Sequence, residues 1–362
     1  MKKIFLYAYD HINLGDDLFI ETIVNRYPDI EFYFWTDTKN KKVFQDLSNL
    51  KIIDKDSKKI NLMKKIRPSL EARYKVGIQN KCDAQVYIGG SIFMEYPTWK
   101  NIVSWWEYQS TQYPFFVLGA NFGPYHTEEY KNAMDKIYTQ LKDICFRDTY
   151  SKKLFDENEN VRQAPDILFS YPIPVIQEDK DQIFISVISY KDKELNSDFD
   201  QMTNEEYIER MTQIVNGFIG QGKRVILASF CREEGDLDAA KEIESRINQK
   251  QNVLILDYNG TNRKEIIEEI SRSKYVIAAR FHGTILGLAA GKIVFPILYS
   301  DKTKYVLEDI GFHGKFADLR IPDSLSYENA KKNLEEEYKI NVQYFIKNAE
   351  KHFKKLDEFL ND

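Results

Sequence analysis

Cysteine is scarce in this chain, with only Cys82, Cys145 and Cys231 among 362 residues. The three lie far apart, and none belongs to a Cys-x-x-Cys pair or to another spacing typical of metal ligands. Scarce, scattered cysteines argue against a disulfide framework and against a structural zinc site. They favour a reducing compartment, so we expect a cytoplasmic protein that binds no metal.

Long hydrophobic runs and an excess of basic charge are lacking as well. No stretch of about 18 apolar residues is free of charge, so the sequence predicts no transmembrane helix. The start, MKKIFLYAYDH, is too short in apolar residues for a signal peptide and is better interpreted as a strand. The net charge of −5 gives no support to nucleic-acid or membrane-surface binding, and we identify no basic amphipathic helix.

Common nucleotide motifs are also missing. No Gly-x-Gly-x-x-Gly follows the first strand, and GQGKRV has the wrong spacing for a phosphate-binding P-loop and leads into a strand. Four Asp-x-Asp pairs occur in this acidic chain, and so many indicate chance rather than a metal site. We therefore expect neither a metal nor a cofactor.

What the sequence does contain is a regular alternation of short apolar runs with helical patterns. Each run is followed by Gly, Asn or Asp, which is typical of buried parallel strands that end in turns. The predicted strands are KIFLYAY, IEFYFW, AQVYIGG, PFFVLGA, DICFRD, IFISVISY, RVILASF, NVLILDY, YVIAARF and KIVFPILY. The alternation is interrupted at residues 169–182, FSYPIPVIQEDKDQ, where two prolines and a charge run indicate a linker.

Two series of β–α units joined by a linker predict an α/β protein with two doubly wound, Rossmann-like domains facing a central cleft. We place the N-terminal domain at residues 1–172 and the C-terminal domain at residues 180–322. Apolar residues recur every three or four positions over 325–362, which predicts a long amphipathic helix or helix pair. Tyr and Phe, 23 of each, are expected mainly in the cores.

The stretch ARFHGTILGLAAGK, residues 279–292, is the strongest candidate for chemistry. Arg280 and His282 are two residues apart at a strand end, so their side chains point to the same side. Gly283 allows close backbone approach, and the helix that begins here favours an anion at its N-terminus. This pattern predicts an anion pocket with a proton donor, although a capping arginine and a turn histidine explain it about equally well.

Three other turns have similar features. Lys302 lies in the first turn of a helix, which is unfavourable against the helix dipole unless an anion binds there; a harmless exposed lysine is the alternative. Arg147 ends a strand in the N-terminal half. Asn13, Gly15 and Asp16 lie at the first strand-to-helix turn, where Asp16, or the aspartate after it, is a general-base candidate or only stabilises the helix start.

Seven segments, in order, resemble the motifs of the polysaccharide pyruvyl transferase family: NLGDD, YIGGSIF, LGANFGP, FRDTYS, APDILF, ARFHGTILGLAAGK and PILYSDKT. The resemblance extends from about Asn13 to Lys304. It implies a fold similar to that of GT-B glycosyltransferases. It also implies transfer of the pyruvyl group of phosphoenolpyruvate to two hydroxyls of a sugar, in a polysaccharide or its lipid-linked precursor, giving a ketal and phosphate.

The resemblance also implies roles for particular residues. Arg147, His282 and Lys302 would lie in the donor site, Asp16 at the acceptor side, and Asn121 along the cleft. Phosphoenolpyruvate has a carboxylate and a phosphate, which suit the cationic residues Arg147, Arg280 and Lys302. We interpret His282 as the candidate acid and Asp16 as the candidate base. A lipid-linked acceptor would bring the protein to the inner face of the membrane, whereas the sequence leaves the sugar and the oligomeric state open.

Two other functions fit the same architecture. One is a glycosyltransferase that uses a sugar nucleotide and holds it with glutamates of the C-terminal domain, but no glutamate occurs between Ser271 and Leu307. The other is an inactive sugar-binding homologue. The presence of all four candidate residues, Asp16, Arg147, His282 and Lys302, argues against it.

Overall fold

The computed structural model describes residues 1–176, 180–191 and 202–361. Within these ranges the chain forms two compact units. The first unit contains residues 1–11, 16–167 and 348–362, and the second contains residues 12–15 and 168–347. The boundary after residue 167 precedes the predicted linker by one residue, and residues 177–179 of that linker lie outside the described ranges.

A parallel sheet forms the centre of the first unit, with the strands that the structure describes in the order β3-β2-β1-β4-β5-β6-β7. Its strands are β1 Lys3–Tyr7, β2 Glu31–Thr36, β3 Leu50–Asp54, β4 Ala84–Ile88, β5 Phe115–Ala120, β6 Asp143–Phe146 and β7 Val161–Gln163. The strand order reverses between β1 and β4. In doubly wound sheets, ligands bind beyond the carboxyl ends of the strands at such a reversal.

Helices cover this sheet and bury an aromatic core. They are α1 Leu14–Arg26, α2 Asn40–Val43, α3 Lys58–Ile66, α4 Pro68–Gln79, α5 Trp99–Gln112, α6 Glu128–Tyr138 and α7 Thr149–Lys153. Trp106 of α5 and Tyr138 of α6 are almost fully buried and pack with Phe93, Phe115 and Phe146. The aromatic residues of this unit therefore serve largely as core, as predicted.

The second unit repeats the architecture with a sheet in the order β10-β9-β8-β11-β12-β13. Its described strands are β8 Lys180–Ser186, β9 Arg224–Ser229, β10 Val253–Asp257, β11 Ser273–Ala278, β12 Ile293–Leu298 and β13 Ala317–Asp318. Its helices include α8 Asn204–Gly220, α9 Asp236–Ser245, α10 Arg263–Arg272, α11 Phe281–Ala289, α12 Asp301–Asp309 and α13 Tyr327–Glu336. The α/β class with two doubly wound parallel sheets is confirmed, and each predicted strand corresponds to one of these.

Three short strands were not predicted: β3, β7 and β13. β3 has the sequence LKIID, in which a lysine and an aspartate flank two isoleucines, so its apolar run is too short to stand out. β7 and β13 have three and two residues and lie at sheet edges. Edge strands are buried less than central ones and therefore show weaker hydrophobic patterns.

The C-terminal segment, predicted as a long amphipathic helix or helix pair over 325–362, is divided between the two units in the structure. α13 belongs to the second unit, where the Tyr275 hydroxyl donates to the Ala330 carbonyl at 2.6 Å. After α14, Val342–Ala349, the chain continues in the first unit as α15, Lys354–Asn361. No helix in the described part of the chain is long and apolar enough to cross a membrane.

Candidate functional site

Four sequence motifs of the first unit meet at the Arg147 guanidinium, immediately after β6. Its Nη1 donates to Asp166 Oδ2 at 3.2 Å, and its Nη2 donates to Asn121 Oδ1 at 2.6 Å. Arg147 is 2% exposed and Asp166 is fully buried. Two bonds in different directions fix the plane of the guanidinium, a geometry that a lysine does not reproduce.

Gly90, in the YIGG turn after β4, completes this cluster. A Cβ atom at Gly90 would lie 2.6 Å from Arg147 Nη1, so a larger residue would displace the guanidinium. The Gly90 carbonyl also accepts the backbone N–H of Asn121 at 2.9 Å. Gly90, Asn121 and Arg147 thus follow the carboxyl ends of three adjacent strands, where doubly wound proteins bind ligands.

His352 supports the segment that contains Asp166. Its imidazole is fully buried, and Nε2 lies 2.9 Å from the carbonyl oxygen of Pro165. The backbone around it is held by Arg162, whose Nη1 donates to the Lys351 carbonyl at 2.8 Å. The end of the chain thereby fixes the loop that positions Asp166 beside Arg147. Burial lowers the pKa of His352 to about 3.

We expect this histidine to make stability depend on pH. Below its ordinary pKa of 6.5 the unfolded chain binds a proton that the folded protein does not bind until about pH 3, so stability falls as pH falls across that window. The slope from one such group is at most about 1.4 kcal/mol per pH unit. Urea unfolding between pH 4.5 and 7 should therefore show a shallower pH dependence for His352→Gln than for the parent protein. His313→Gln, at an exposed histidine, is the matched control, and parallel curves for parent and His352→Gln would refute the expectation.

An aromatic cavity of about 480 Å³ lies in the same unit, at the carboxyl ends of β1 and β4. Its lining residues are Tyr7, Lys75, Tyr87, Ile92, Asn101, Ile102, Trp105 and Trp106. The volume falls within the roughly 300–1,000 Å³ that is typical of small-molecule sites.

The wall of this cavity contains titratable groups with shifted pKa values. Burial lowers the pKa of the Lys75 ammonium. Burial and the nearby carboxylates of Asp16 and Asp10 raise the pKa of Tyr87 to about 12. Asp16, in the first turn of α1, is thus electrostatically coupled to the cavity wall.

In the second unit, His282 lies against the backbone of Gly15. A Cβ atom at Gly15 would lie 1.7 Å from His282 Nδ1, so only glycine fits beside this imidazole. The loop is fixed by two bonds: the Gly15 N–H donates to Asn13 Oδ1 at 3.1 Å, and the Leu14 N–H donates to the Phe230 carbonyl at 3.1 Å. The sequence predicted Asn13, Gly15 and His282 as site residues, and the structure brings the three together.

Arg280, which the sequence predicts as a contact to the donor, is occupied by carboxylates. Its Nε donates to Asp236 Oδ2 at 2.7 Å, and its Nη1 donates to Glu234 Oε2 at 2.6 Å. Burial lowers the pKa of the Arg280 guanidinium, but the two carboxylates outweigh burial and raise it well above its ordinary value. Its charge is therefore compensated within the protein, and its geometry suits holding the turn that bears His282.

Helix α11 starts directly at this turn. Its N-cap, Arg280, makes no side-chain cap bond. A Cβ atom at Gly283 would lie 2.4 Å from Ser186 Oγ, so the first turn packs closely on β8. Gly283 is thus needed for close packing of the helix on the sheet, and the helix start retains the dipole that attracts anions.

Lys302 differs from both arginines because no described residue compensates its charge. It lies in the first turn of α12, with Nζ 5.2 Å from the centre of the Tyr299 ring, and forms no ion pair within the described ranges. The N-cap, Ser300, makes no side-chain cap bond, and its buried hydroxyl has no hydrogen-bond partner within the described ranges. A helix N-terminus, an ammonium without an ion pair among the described residues and an unsatisfied buried hydroxyl thus occur within one turn, which is a suitable arrangement for a phosphate.

The sequence analysis did not identify several residues of these clusters. Gly90 and Asp166 lie inside segments quoted for the family resemblance, but nothing in the spacing assigns them to Arg147. Asp236 and His352 are far from the motifs they support, and only tertiary contacts reveal them. The cavity is formed by aromatic residues of separate elements, which composition alone attributes to the core.

Comparison with known proteins gives one family and one fold. A family model described as polysaccharide pyruvyl transferase matches residues 13–301. No curated protein matches the sequence. The UDP-GlcNAc 2-epimerase of Methanocaldococcus jannaschii, in complex with UDP-GlcNAc and UDP, is similar with a TM-score of 0.62 at 11% identity over 99% of this chain and 100% of that one. The enzyme of the same name from Neisseria meningitidis has a TM-score of 0.57 at 12% identity, with both chains fully covered.

A plant protein shows the same fold. Medicago truncatula UGT71G1, complexed with UDP-glucose, has a TM-score of 0.53 at 11% identity over 99% of this chain and 98% of that one. Identities this low show the fold alone. These similarities therefore show that the two-domain fold is GT-B-like. The family is shown separately, by the match of the sequence to the family model.

Proposed function

Because this chain belongs to the polysaccharide pyruvyl transferase family, and is therefore a transferase, we propose that it moves the pyruvyl group of phosphoenolpyruvate to two hydroxyls of a sugar. The acceptor is a polysaccharide or its lipid-linked precursor, the product is a pyruvate ketal, and phosphate is released. The observation that carries the choice of donor is the uncompensated Lys302 beside the unsatisfied Ser300 hydroxyl at the start of α12. No glutamate occurs between Ser271 and Leu307, where a sugar-nucleotide enzyme would need one to hold the donor sugar.

The cationic residues have different roles in this proposal. Lys302 binds the phosphate of the donor, and the helix starts of α11 and α12 add their dipoles. We also assign Arg147 to an anionic group of the donor, because the resemblance of FRDTYS to the family motif implies a donor contact there, and because Arg147 is bonded to one carboxylate, Asp166, and the neutral Asn121. Arg280 is assigned to positioning, since its bonds go to Asp236 and Glu234 and hold the turn that carries His282.

The reaction needs an acid and a base. A proton added to the methylene carbon of phosphoenolpyruvate leaves a cationic centre at C2, and the first sugar hydroxyl attacks it and loses its proton. Breaking the C2–O bond then releases phosphate, and the second hydroxyl adds to C2, gives up its proton to the released phosphate and closes the ketal. We assign the proton donor to His282 and the base to Asp16. Groups of this kind contribute roughly 100- to 10,000-fold to the rate.

We place the acceptor sugar at the aromatic cavity of the first unit. Four of its lining residues, Tyr7, Tyr87, Trp105 and Trp106, are aromatic, and an aromatic wall is an apolar surface against which a sugar ring can pack. Lys75 and Asn101 add polar groups to the same wall. The electrostatic coupling of Tyr87 to Asp16 supports a base beside this cavity.

A label from solvent tests the proposed reaction. Pyruvyl transfer converts the methylene of the donor into a methyl group, and the added hydrogen comes from an acid that exchanges with water. Turnover in D₂O should therefore place deuterium on the ketal methyl carbon, which mass spectrometry of the product detects. Transfer of a sugar makes no new C–H bond on the acceptor. A transferred group without carbon-bound deuterium, or transfer from a UDP-sugar and not from phosphoenolpyruvate, would refute the proposal.

A further inference from the structure

The segment from Lys58 to Lys81 has a charge opposite to that of the whole chain. It contains eight basic residues and one acidic residue, while the chain as a whole has a net charge of −5. In the structure this segment is the helix pair α3 and α4, followed by Asn80 and Lys81. Its positive charge is thus concentrated at one place on the first unit.

Five basic residues of α3, α4 and the turn between them are exposed and have no compensating charge among the described residues. They are Lys58, Lys59, Lys65, Arg67 and Arg73. None of the five forms an ion pair within the described part of the chain, although Lys59 lies 4.2 Å from the centre of the Tyr74 ring. By contrast, Lys64 is paired with Glu71. Uncompensated like charges in a small area repel one another, so their accumulation indicates an anionic partner.

Large apolar side chains are exposed among these charges. Leu62 is 58% exposed and Ile66 is 68% exposed, while Ile60 on the opposite side of α3 is buried. Leu62 and Ile66 are four residues apart and therefore lie on one face of the helix, with Lys58, Lys59 and Lys65 as their neighbours. An apolar strip flanked by lysines is the pattern of a helix that lies in the interface of a membrane.

We infer that the exposed face of α3 and α4 docks on an anionic phospholipid bilayer. The cations contact lipid phosphates, and Leu62 and Ile66 enter the boundary between headgroups and acyl chains. A nucleic acid or another soluble polyanion would match the charges but would leave the two apolar side chains without a partner. The sequence analysis missed this face because α3 has only nine residues and the chain is acidic overall.

The location of this face indicates the class of acceptor, an inference that rests on the proposed function. Lys75 of α4 lines the aromatic cavity to which we assign the acceptor. A helix pair with its outer face on the bilayer and Lys75 on the cavity would bring that cavity to a sugar attached to a lipid in the same membrane. The acceptor class that fits is therefore a lipid-linked saccharide.

Vesicle flotation tests the docking face directly. Full-length protein should float with vesicles of phosphatidylcholine containing 30% phosphatidylglycerol, should remain unbound with pure phosphatidylcholine, and should dissociate in 0.5 M NaCl. Each basic residue near an anionic surface contributes roughly a five-fold factor in affinity. Lys58→Glu/Lys59→Glu/Lys65→Glu should therefore weaken binding more than roughly 100-fold. The matched control is Lys241→Glu/Lys250→Glu/Lys264→Glu, which makes the same change at exposed lysines of the second unit and should bind like the parent.

The apolar strip is tested separately with Leu62→Asn/Ile66→Asn. Loss of binding to the anionic vesicles, with unchanged thermal unfolding, supports insertion into the bilayer. Unchanged vesicle binding in this variant, or equal loss of binding in both lysine triple variants, would overturn the inference. Binding of the parent to RNA with no binding to anionic vesicles would overturn it too.

The proposed function and this inference fail in different ways. Transfer of the pyruvyl group to a water-soluble acceptor should be unchanged in the triple variant of α3, because none of its three lysines belongs to the site. Vesicle binding by a protein without pyruvyl transfer would refute the proposed function and leave the docking face supported. Full pyruvyl transfer by a protein that binds no vesicles would refute the docking face and leave the proposed function supported.

Discussion

Arg147→Ala is expected to lower the affinity for the donor strongly and to destabilise the first unit at the same time. Removing one partner of a desolvated charged contact costs about 2 to 5 kcal/mol in ligand affinity. The same change leaves the fully buried Asp166 without its guanidinium, and breaking a buried ion pair costs about 3 to 5 kcal/mol of folding stability. Calorimetric titration with phosphoenolpyruvate measures the first effect, and urea unfolding measures the second.

A second substitution separates the two effects. In Arg147→Ala/Asp166→Asn the buried carboxylate is replaced by a neutral amide, so part of the lost stability should return while donor affinity stays low. Arg147→Lys should also bind the donor poorly, since an ammonium cannot bond Asn121 and Asp166 with the same planar geometry. Recovery of full donor affinity in the double variant would show that Arg147 acts only through the fold.

The fold was largely predictable because its main signals are local. Each central strand is a continuous apolar run, as expected of strands buried on both faces, and KIFLYAY and YVIAARF stand out for that reason. LKIID was missed because its pattern is short and its lysine is exposed. The division of the tail could not be predicted, since the contacts of Ala330 and His352 are with residues distant in sequence.

The sequence indicated candidate residues for the site but not their arrangement. Strand ends with Arg, His and Lys are where we expect chemistry, and Asn13, Gly15 and His282 do lie together. The sequence could not show that Arg280 is bonded to Asp236 and Glu234 whereas Lys302 forms no ion pair with the described residues. Charge compensation depends on which side chains meet in three dimensions, so a cation in a motif predicts a location and not a role.

Gly15→Ala is expected to reduce turnover about as much as loss of His282 itself. The added methyl would lie 1.7 Å from His282 Nδ1, so the ring must move from its place. With His282 as the acid, both Gly15→Ala and His282→Gln should lower kcat by roughly 100- to 10,000-fold, while donor affinity falls less than in Arg147→Ala. Gly220→Ala is the matched control, because a methyl there meets no atom within 4 Å.

A double-mutant cycle decides whether Gly15 acts through the imidazole. In a His282→Ala background the space beside Gly15 is open, so adding Gly15→Ala should cause no further loss of turnover. In this background Gly15→Ala should not destabilise the fold either, since alanine in a helix is ordinarily more favourable than glycine by roughly 1 kcal/mol. Losses that simply add would show that Gly15 serves some other contact. A fully active His282→Gln would move the proton donor elsewhere while leaving the deuterium result, and hence the reaction, untouched.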